Sequence, residues 1–441
     1  MNHPADHRPV EHVTTRAVVV WLVAVLAYVV AVFARSSLSA TGVEAAVRFS
    51  TTASSLSMFT VLQLAVYAAM QIPAGTFLDR RGARASIVVG CLLIGAGQAA
   101  IALATTVPAA VGARVLVGGG DAFVFISVMR LLPAWFPPRT VPLLTQLTGT
   151  LGQLGQLVSL APLVALLHAR GWTAAFLLAG SGAVLVAALV LAVVRDGRAR
   201  VAIDLPTAGT ERPAGAPPVP APAGHEGRMR RTWRDPGTRA GYWAHFVAPF
   251  PASAFVLLWG FPYMTRSQGV PSEEALHVLD LYVVAGLVAS VVIGTVASRA
   301  PHRKLRLVLT VVTLQVVLWG AVLAWPGHAP TPLLLALAVP MACAGGASLI
   351  GFDYARETNE LRTLGLATGM VNTGGFTSTL LTVLLVGLVL DLEGEGTPEL
   401  FTDAGFTVAW LVLVPLWTLG TIMLVRSDRA LHRARPRVSA A

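Results

Sequence analysis

The chain has 441 residues, 55% of them hydrophobic and only 12% charged, with a formal net charge of +10. A soluble domain carries about 25% charged residues, so this balance excludes a soluble enzyme, a coiled coil and a disordered chain. A bilayer crossing takes about 20 apolar residues, and twelve of them would use roughly 240, leaving enough chain for loops and ends.

Residues 1–16 are a polar leading segment, and the first apolar run is 17–39 (span 1). Its length and the eleven runs behind it separate it from a cleaved leader. Arg35 lies in its outer part, where a lone guanidinium is expensive. It can grip a carboxylate or phosphate with its planar fork, or snorkel to the outer headgroups. Span 2, residues 56–77, carries Gln63, Tyr67 and Gln71 at i, i+4 and i+8. That makes one polar face, suited to a watery cavity or to bonding between helices. After span 3 (86–106) comes span 4 (110–131), with Arg114 and Asp121 seven residues apart. They share a helix face, about 10 Å apart along the axis. Asp121 is the one carboxylate placed deep in a span. Burial and a neighbouring arginine pull its proton affinity in opposite directions, so it can serve as a proton-loading group or as half of a fixed ion pair. Span 5 (143–166) repeats a polar stripe with Gln146, Thr150 and Gln153, and span 6 is 173–194.

Residues 195–239 break the pattern. They are rich in Pro, Ala, Gly and Arg, without an apolar period, and are expected to be a flexible linker between two halves. The halves are then 17–194 and 240–425, with 426–441 as a polar tail. Spans 7 to 12 are 241–264, 276–297, 307–325, 332–352, 365–389 and 404–425. Span 7 offers Trp259, Tyr263 and His245 as polar candidates, and Pro249, Pro251 and Pro262 can bend it. His245 is expected at the inner interface rather than in a proton relay. Asn372 is the candidate in span 11. Cys91 and Cys343 both sit in apolar runs, where packing is the expected role.

Basic residues fix the orientation. They are 31 arginines and Lys304. With the N-terminus inside, inner segments hold 27 of them and outer loops only Arg48, Arg170 and Arg266. Both ends are therefore expected in the cytoplasm. The last outer loop is acidic, with Asp391, Glu393, Glu395, Glu399 and Asp403. The net positive charge is thus a topology signal and not a nucleic-acid surface. Arginine in place of lysine, with abundant Ala, Gly and Val, suggests a GC-rich bacterial genome.

The loop after span 2, Gly75-Thr-Phe-Leu-Asp79-Arg80-Arg81-Gly82-Ala83-Arg84, recurs 219 residues later as Gly294-Thr-Val-Ala-Ser298-Arg299-Ala-Pro-His-Arg303. Parallel six-span halves joined by a long inner loop form a known transporter architecture. The first copy resembles the signature loop of the major facilitator superfamily. Arg114-Val-Leu-Val-Gly118-Gly-Gly120-Asp121-Ala122 is similar to a second motif of that superfamily, and Gly171-Trp172 to a third pattern. The resemblance implies two six-helix bundles, all-α and membrane-spanning, that rock against each other. It implies that Gly75, Asp79, Arg80, Gly82 and Arg84 latch the halves in the outward-open state, with Arg130 and the start of span 11 near Gly365 as partners. Ser298 replaces the aspartate in the second copy, so a second latch is weaker or absent. Arg35 resembles the substrate arginine of the organic anion/cation symporters, although Ala34 stands where those often have an acid. The Gly-Pro pair of drug/proton antiporters is not evident in span 5, where Pro162 follows Ala161.

No phosphate-binding loop, metal-ligand spacing or catalytic set appears, so neither ATP hydrolysis, a cofactor nor an enzyme is expected. The expectation is a secondary transporter, working as a monomer in the bilayer. It would move a small organic solute, an anion if Arg35 grips it, with protons as the coupling ion. Substrate-site candidates are Arg35, Gln63, Tyr67, Gln146, Gln153, Trp259 and Asn372; coupling candidates are Asp121 and Arg114. Efflux of drugs or metabolites by proton antiport stays open as the alternative, and a receptor or membrane enzyme lies further off.

Overall fold

The structure is a computed structural model that describes residues 12–50, 53–160, 162–196, 225–394 and 400–434. Most of the linker and the acidic residues Glu395 and Glu399 lie outside it. Within the described residues the regular structure is helical throughout. A chain crossing a bilayer must satisfy its backbone polar groups within each segment, and helices do so.

Among the described residues nine helical stretches are long and apolar enough to cross a membrane, and a bent pair, Pro236–Val247 with Phe250–Ser267, makes a tenth. Two of the nine are 43 and 53 residues long, about twice the length of one crossing. Each is broken by a glycine at positive φ, Gly82 at 84° and Gly171 at 79°, a conformation that other residues adopt only with strain. Divided there, the stretches among the described residues are consistent with twelve crossings at the positions of spans 1 to 12. Span 5 is itself stepped, running through Val141–Gly152 and Leu154–Leu160 into the helix from Pro162. Span 12 is stepped too, as Asp403–Trp410 and Leu413–Ala434, so helix continues well into the segment expected as a polar tail.

Caps set several starts. Thr14, Thr106 and Thr402 accept from the backbone N–H groups of Ala17, Ala109 and Gly405, which would otherwise lack partners. Span 7 is capped by Asp235, which accepts from Thr238 N and from the side chains of Thr238, Thr358 and Asn359. The linker departs from expectation here: His225–Arg234 is a helix that leads through Asp235 directly into span 7. It lacks an apolar stripe, and its packed face is instead Arg228, Met229 and Thr232, which is why hydrophobic periodicity missed it.

One apolar core lies in the second half, another fills the first half and takes in Phe352, Ala355, Ala367 and Val371 of the second, and a smaller one, around Phe49, Trp172 and Phe176, closes one end of the first half. Span 4 is the most enclosed, with 89% of its apolar window buried, against 17% for span 8. The exposed side chains of span 8, such as Val283, Val284 and Val288, are apolar, as a face toward lipid requires. At the Phe49 end a short helix, Gly42–Phe49, is tied down by Arg48, which donates to the Ala104 and Ala102 carbonyls, and by Glu44, which meets His168 at 2.8 Å.

The halves meet along two seams. Spans 2 and 11 touch at Gly75, where a methyl group would stand 2.5 Å from the Gly365 carbonyl oxygen. Spans 5 and 8 touch where Gln146 covers Gly294, and Gln146 donates to the Gly346 carbonyl of span 10 at 2.8 Å.

Candidate functional site

Two polar constellations stand out in the apolar interior. The first surrounds Asp79, at the end of the bundle opposite Phe49. Its carboxylate is fully enclosed. One oxygen accepts from Arg130 Nη1 at 2.8 Å and from the Gly365 N–H at 2.7 Å. The other accepts from the Leu366 N–H at 3.0 Å and from Arg228 Nη2 at 2.6 Å. Four donors from span 4, span 11 and the linker helix thus converge on one side chain of span 2. Two are backbone N–H groups near the start of Leu361–Leu392, where the helix dipole favours negative charge. The absence of a side chain at Gly75 brings the two helices close enough for those bonds.

The other loop residues divide differently from the expected latch. Arg80 is exposed and outside the Asp79 constellation. Gly82 makes room for the Asp196 carboxylate, which accepts from the Arg84 backbone N–H at 2.8 Å, and the Arg84 guanidinium meets the Leu191 carbonyl. Gly82 and Arg84 therefore pin span 3 to the end of span 6, within one half. In the second copy Ser298 donates to the Gly294 carbonyl of its own helix at 2.7 Å.

The second constellation lies in the first half. Arg35 clasps Asp121 with both arms of its fork, Nε to Oδ2 at 2.7 Å and Nη2 to Oδ1 at 3.1 Å. The carboxylate is fully buried while 23% of the Arg35 side chain remains accessible. The guanidinium lies over the Tyr67 ring, 5.0 Å from its centroid, and the Tyr28 hydroxyl reaches it as well. Tyr67 in turn accepts from Asn372 Nδ2 at 3.0 Å, the link from this cluster to span 11. Arg35 therefore points inward, and the snorkelling alternative is set aside.

Arg114 does not pair with Asp121, as their shared helix face had suggested. Two turns separate them along the axis, and span 1 supplies the acceptors instead. Arg114 donates to the carbonyls of Ala34 at 3.1 Å and Arg35 at 2.6 Å, and to Gln63 Oε1. It holds the backbone beneath Arg35 and so sets where the guanidinium stands.

The remaining candidates scatter. Gln63 serves Arg114, and Gln71 donates to the Tyr67 carbonyl at 3.3 Å. Gln146 belongs to the seam between spans 5, 8 and 10. Gln153 is exposed at the step in span 5, away from the Arg35 cluster's bonds. Trp259 donates to the Val383 carbonyl at 3.1 Å and packs on Phe401 and Phe406. It is a strut between spans 7, 11 and 12. His245 is a correction: it is buried, with Nδ1 3.1 Å from the Ser348 carbonyl and its ring against Phe352. Sequence position put it near the inner surface, but the helix starts five residues earlier than expected, at Pro236, and carries His245 inside. Tyr28 could have been found, since it lies seven residues before Arg35 on one helix face. Arg228 had no signal within a stretch full of arginines. Among the described residues no cluster of three His, Cys, Asp or Glu side chains could hold a metal ion.

The family model of the Major Facilitator Superfamily matches residues 24–355. The chain belongs to this superfamily. Its members are transporters, not enzymes, and the chain is a multi-pass membrane protein of this type. No curated protein matches it. Among solved structures it is similar to the proton:xylose symporter XylE bound to 6-bromo-6-deoxy-D-glucose, with a TM-score of 0.65 and 15% identity over 96% of this chain and 97% of that one. At that identity the likeness concerns the fold: two six-helix halves of a superfamily transporter.

Proposed function

We propose that this transporter carries a small organic anion together with protons across a bacterial cytoplasmic membrane, as a monomer, by alternating access. The observation that supports this reading is the Arg35–Asp121 pair: a buried carboxylate clasped by an arginine whose side chain stays partly accessible, next to the Tyr67–Asn372 contact between the halves. An uncompensated charge there is costly. In this reading a proton from outside binds an Asp121 oxygen, and the substrate carboxylate takes its place on Arg35. The guanidinium faces one negative charge before and after, so no step strands an ion in the apolar interior. Inside, the substrate leaves, Asp121 releases its proton and the pair closes again.

The Asp79 constellation is the latch in this scheme, and the Asp79 end faces the cytoplasm, as the distribution of arginines favours. Its closed geometry then corresponds to a transporter sealed on the inside. The test is uptake of labelled carboxylates into proteoliposomes with and without an inward proton gradient. Asp121→Asn should abolish gradient-driven accumulation and retain exchange of solute for solute. Accumulation that still follows the pH gradient in this variant would place coupling elsewhere, and export of lipophilic compounds against protons would favour efflux.

A further inference from the structure

The linker helix His225–Arg234 has two unlike faces. Arg228 points into the Asp79 constellation and also donates to the Arg362 carbonyl at 2.9 Å, with Thr232 buried one turn on. The other face shows Arg230, Arg231 and Arg234 exposed, and among the described residues none of the three forms an ion pair. Trp233 stands beside them, edge-on to Tyr242 in the first turns of span 7 and 37% exposed. The helix runs through Asp235 into span 7 without a loop, so it sits where a crossing leaves the bilayer. Indole rings concentrate at that depth, and clustered arginines there meet the negative headgroups of the inner leaflet.

We infer that this helix is a lipid-reading arm of the latch: its outer face binds anionic phospholipid headgroups, and this docking holds Arg228 on Asp79. The chemistry fits both sides of the helix. Three exposed guanidiniums without an ion pair among the described residues, and an indole, form a surface for phosphodiesters at an interface. A single rigid helix of 10 residues carries both faces, so releasing one loosens the other. The linker is then a third component of the inner gate alongside spans 2 and 11. The inference rests on the reading of Asp79 as a cytoplasmic latch.

The experiment uses the full chain in nanodiscs of phosphatidylcholine alone or mixed with phosphatidylglycerol. With Cys91 and Cys343 replaced by alanine, spin labels at Arg81 and Glu360 report the inner gate by pulsed dipolar spectroscopy. Native mass spectrometry counts retained phosphatidylglycerol. In the wild type, phosphatidylglycerol should raise the ratio of closed to open gate about threefold or more. The triple variant Arg230→Gln, Arg231→Gln, Arg234→Gln should match the wild type in phosphatidylcholine, lose that response and retain less phosphatidylglycerol. Arg228→Gln should open the gate in both lipids and, because the coupling is reciprocal, lose part of its phosphatidylglycerol but retain more than the triple variant. A triple variant that responds to phosphatidylglycerol like the wild type overturns the inference, as does a wild type indifferent to it. Asp79→Asn separates the two readings. If it leaves the gate distances unchanged in phosphatidylcholine, the latch itself is wrong; if it opens the gate while the triple variant behaves as wild type, only the lipid arm is wrong.

Discussion

Asp79 and Arg35 are both charged side chains with buried partners, but they differ in what a substitution leaves behind. Asp79→Asn keeps one acceptor oxygen and removes the charge that Arg130 and Arg228 face. Breaking a buried pair by removing one partner costs about 3–5 kcal/mol, and part of this is relieved because Arg228 is partly exposed. A shift of the gate equilibrium by about 2–3 kcal/mol, 30-fold or more, is expected, with transport lost and membrane insertion unchanged. Normal transport by this variant would remove Asp79 from the gate. Arg35→Lys keeps the charge and loses the fork. A charge-assisted hydrogen bond is worth about 1.5–3 kcal/mol, so carboxylate affinity should fall about tenfold, and further in Arg35→Ala. Binding of carboxylates and lipophilic cations to the purified variants checks this. Equal carboxylate affinity across the wild type and both variants would leave Arg35 a purely structural partner of Asp121.

Seen by element, most of the architecture was legible in the sequence. Apolar runs of about 20 residues mark crossings by the bilayer's own thickness, and Gly82 and Gly171 mark where two of them turn back. The constellation around Asp79 was legible in part, since Asp79, Arg130 and the region of Gly365 could be brought together through the resemblance. What stayed hidden depended on how helices pack. The partner of Asp121 is 86 residues away in sequence, on a helix whose rotation no single-span pattern gives. Arg114 had looked like that partner because spacing along one helix is readable and contacts between helices are not. The linker helix is held by Arg228 on Asp79 and on the Arg362 carbonyl, with Thr232 buried, instead of by an apolar face, so periodicity could not reveal it. The packing of spans 2 and 11 can be tested apart from its charges. Gly75→Ala should force the backbones apart at Gly365, at about 1–3 kcal/mol, and open the inner gate although all four donors to Asp79 remain. Gly182→Ala is the control, since a methyl there has open space within 4 Å. Equal gate distances in the two variants, read from labels at Arg81 and Glu360, would show that the close approach is not needed.

The whole molecule is built from two similar halves but closed by two dissimilar seams. Between spans 2 and 11 the seam holds a buried carboxylate with four donors. Between spans 5 and 8 the repeated loop offers Ser298, which bonds its own helix, and closure depends on packing and on the amide of Gln146. A neutral hydrogen bond contributes about 0.5–1.5 kcal/mol net, less than a buried charge with its partners removed. When the halves rock open at the Asp79 end, the seam of spans 5 and 8 should therefore resist least, and the seam of spans 2 and 11 should control the transition. Gln146→Leu should shift the gate equilibrium toward the inward-open state by about threefold to tenfold, well short of Asp79→Asn. Spin labels at Arg139 and Arg299 would follow the second seam, and labels at Arg81 and Glu360 the first. If Gln146→Leu opens the first seam as fully as Asp79→Asn does, closure is shared evenly and the loss of an acid at position 298 has no consequence for gating.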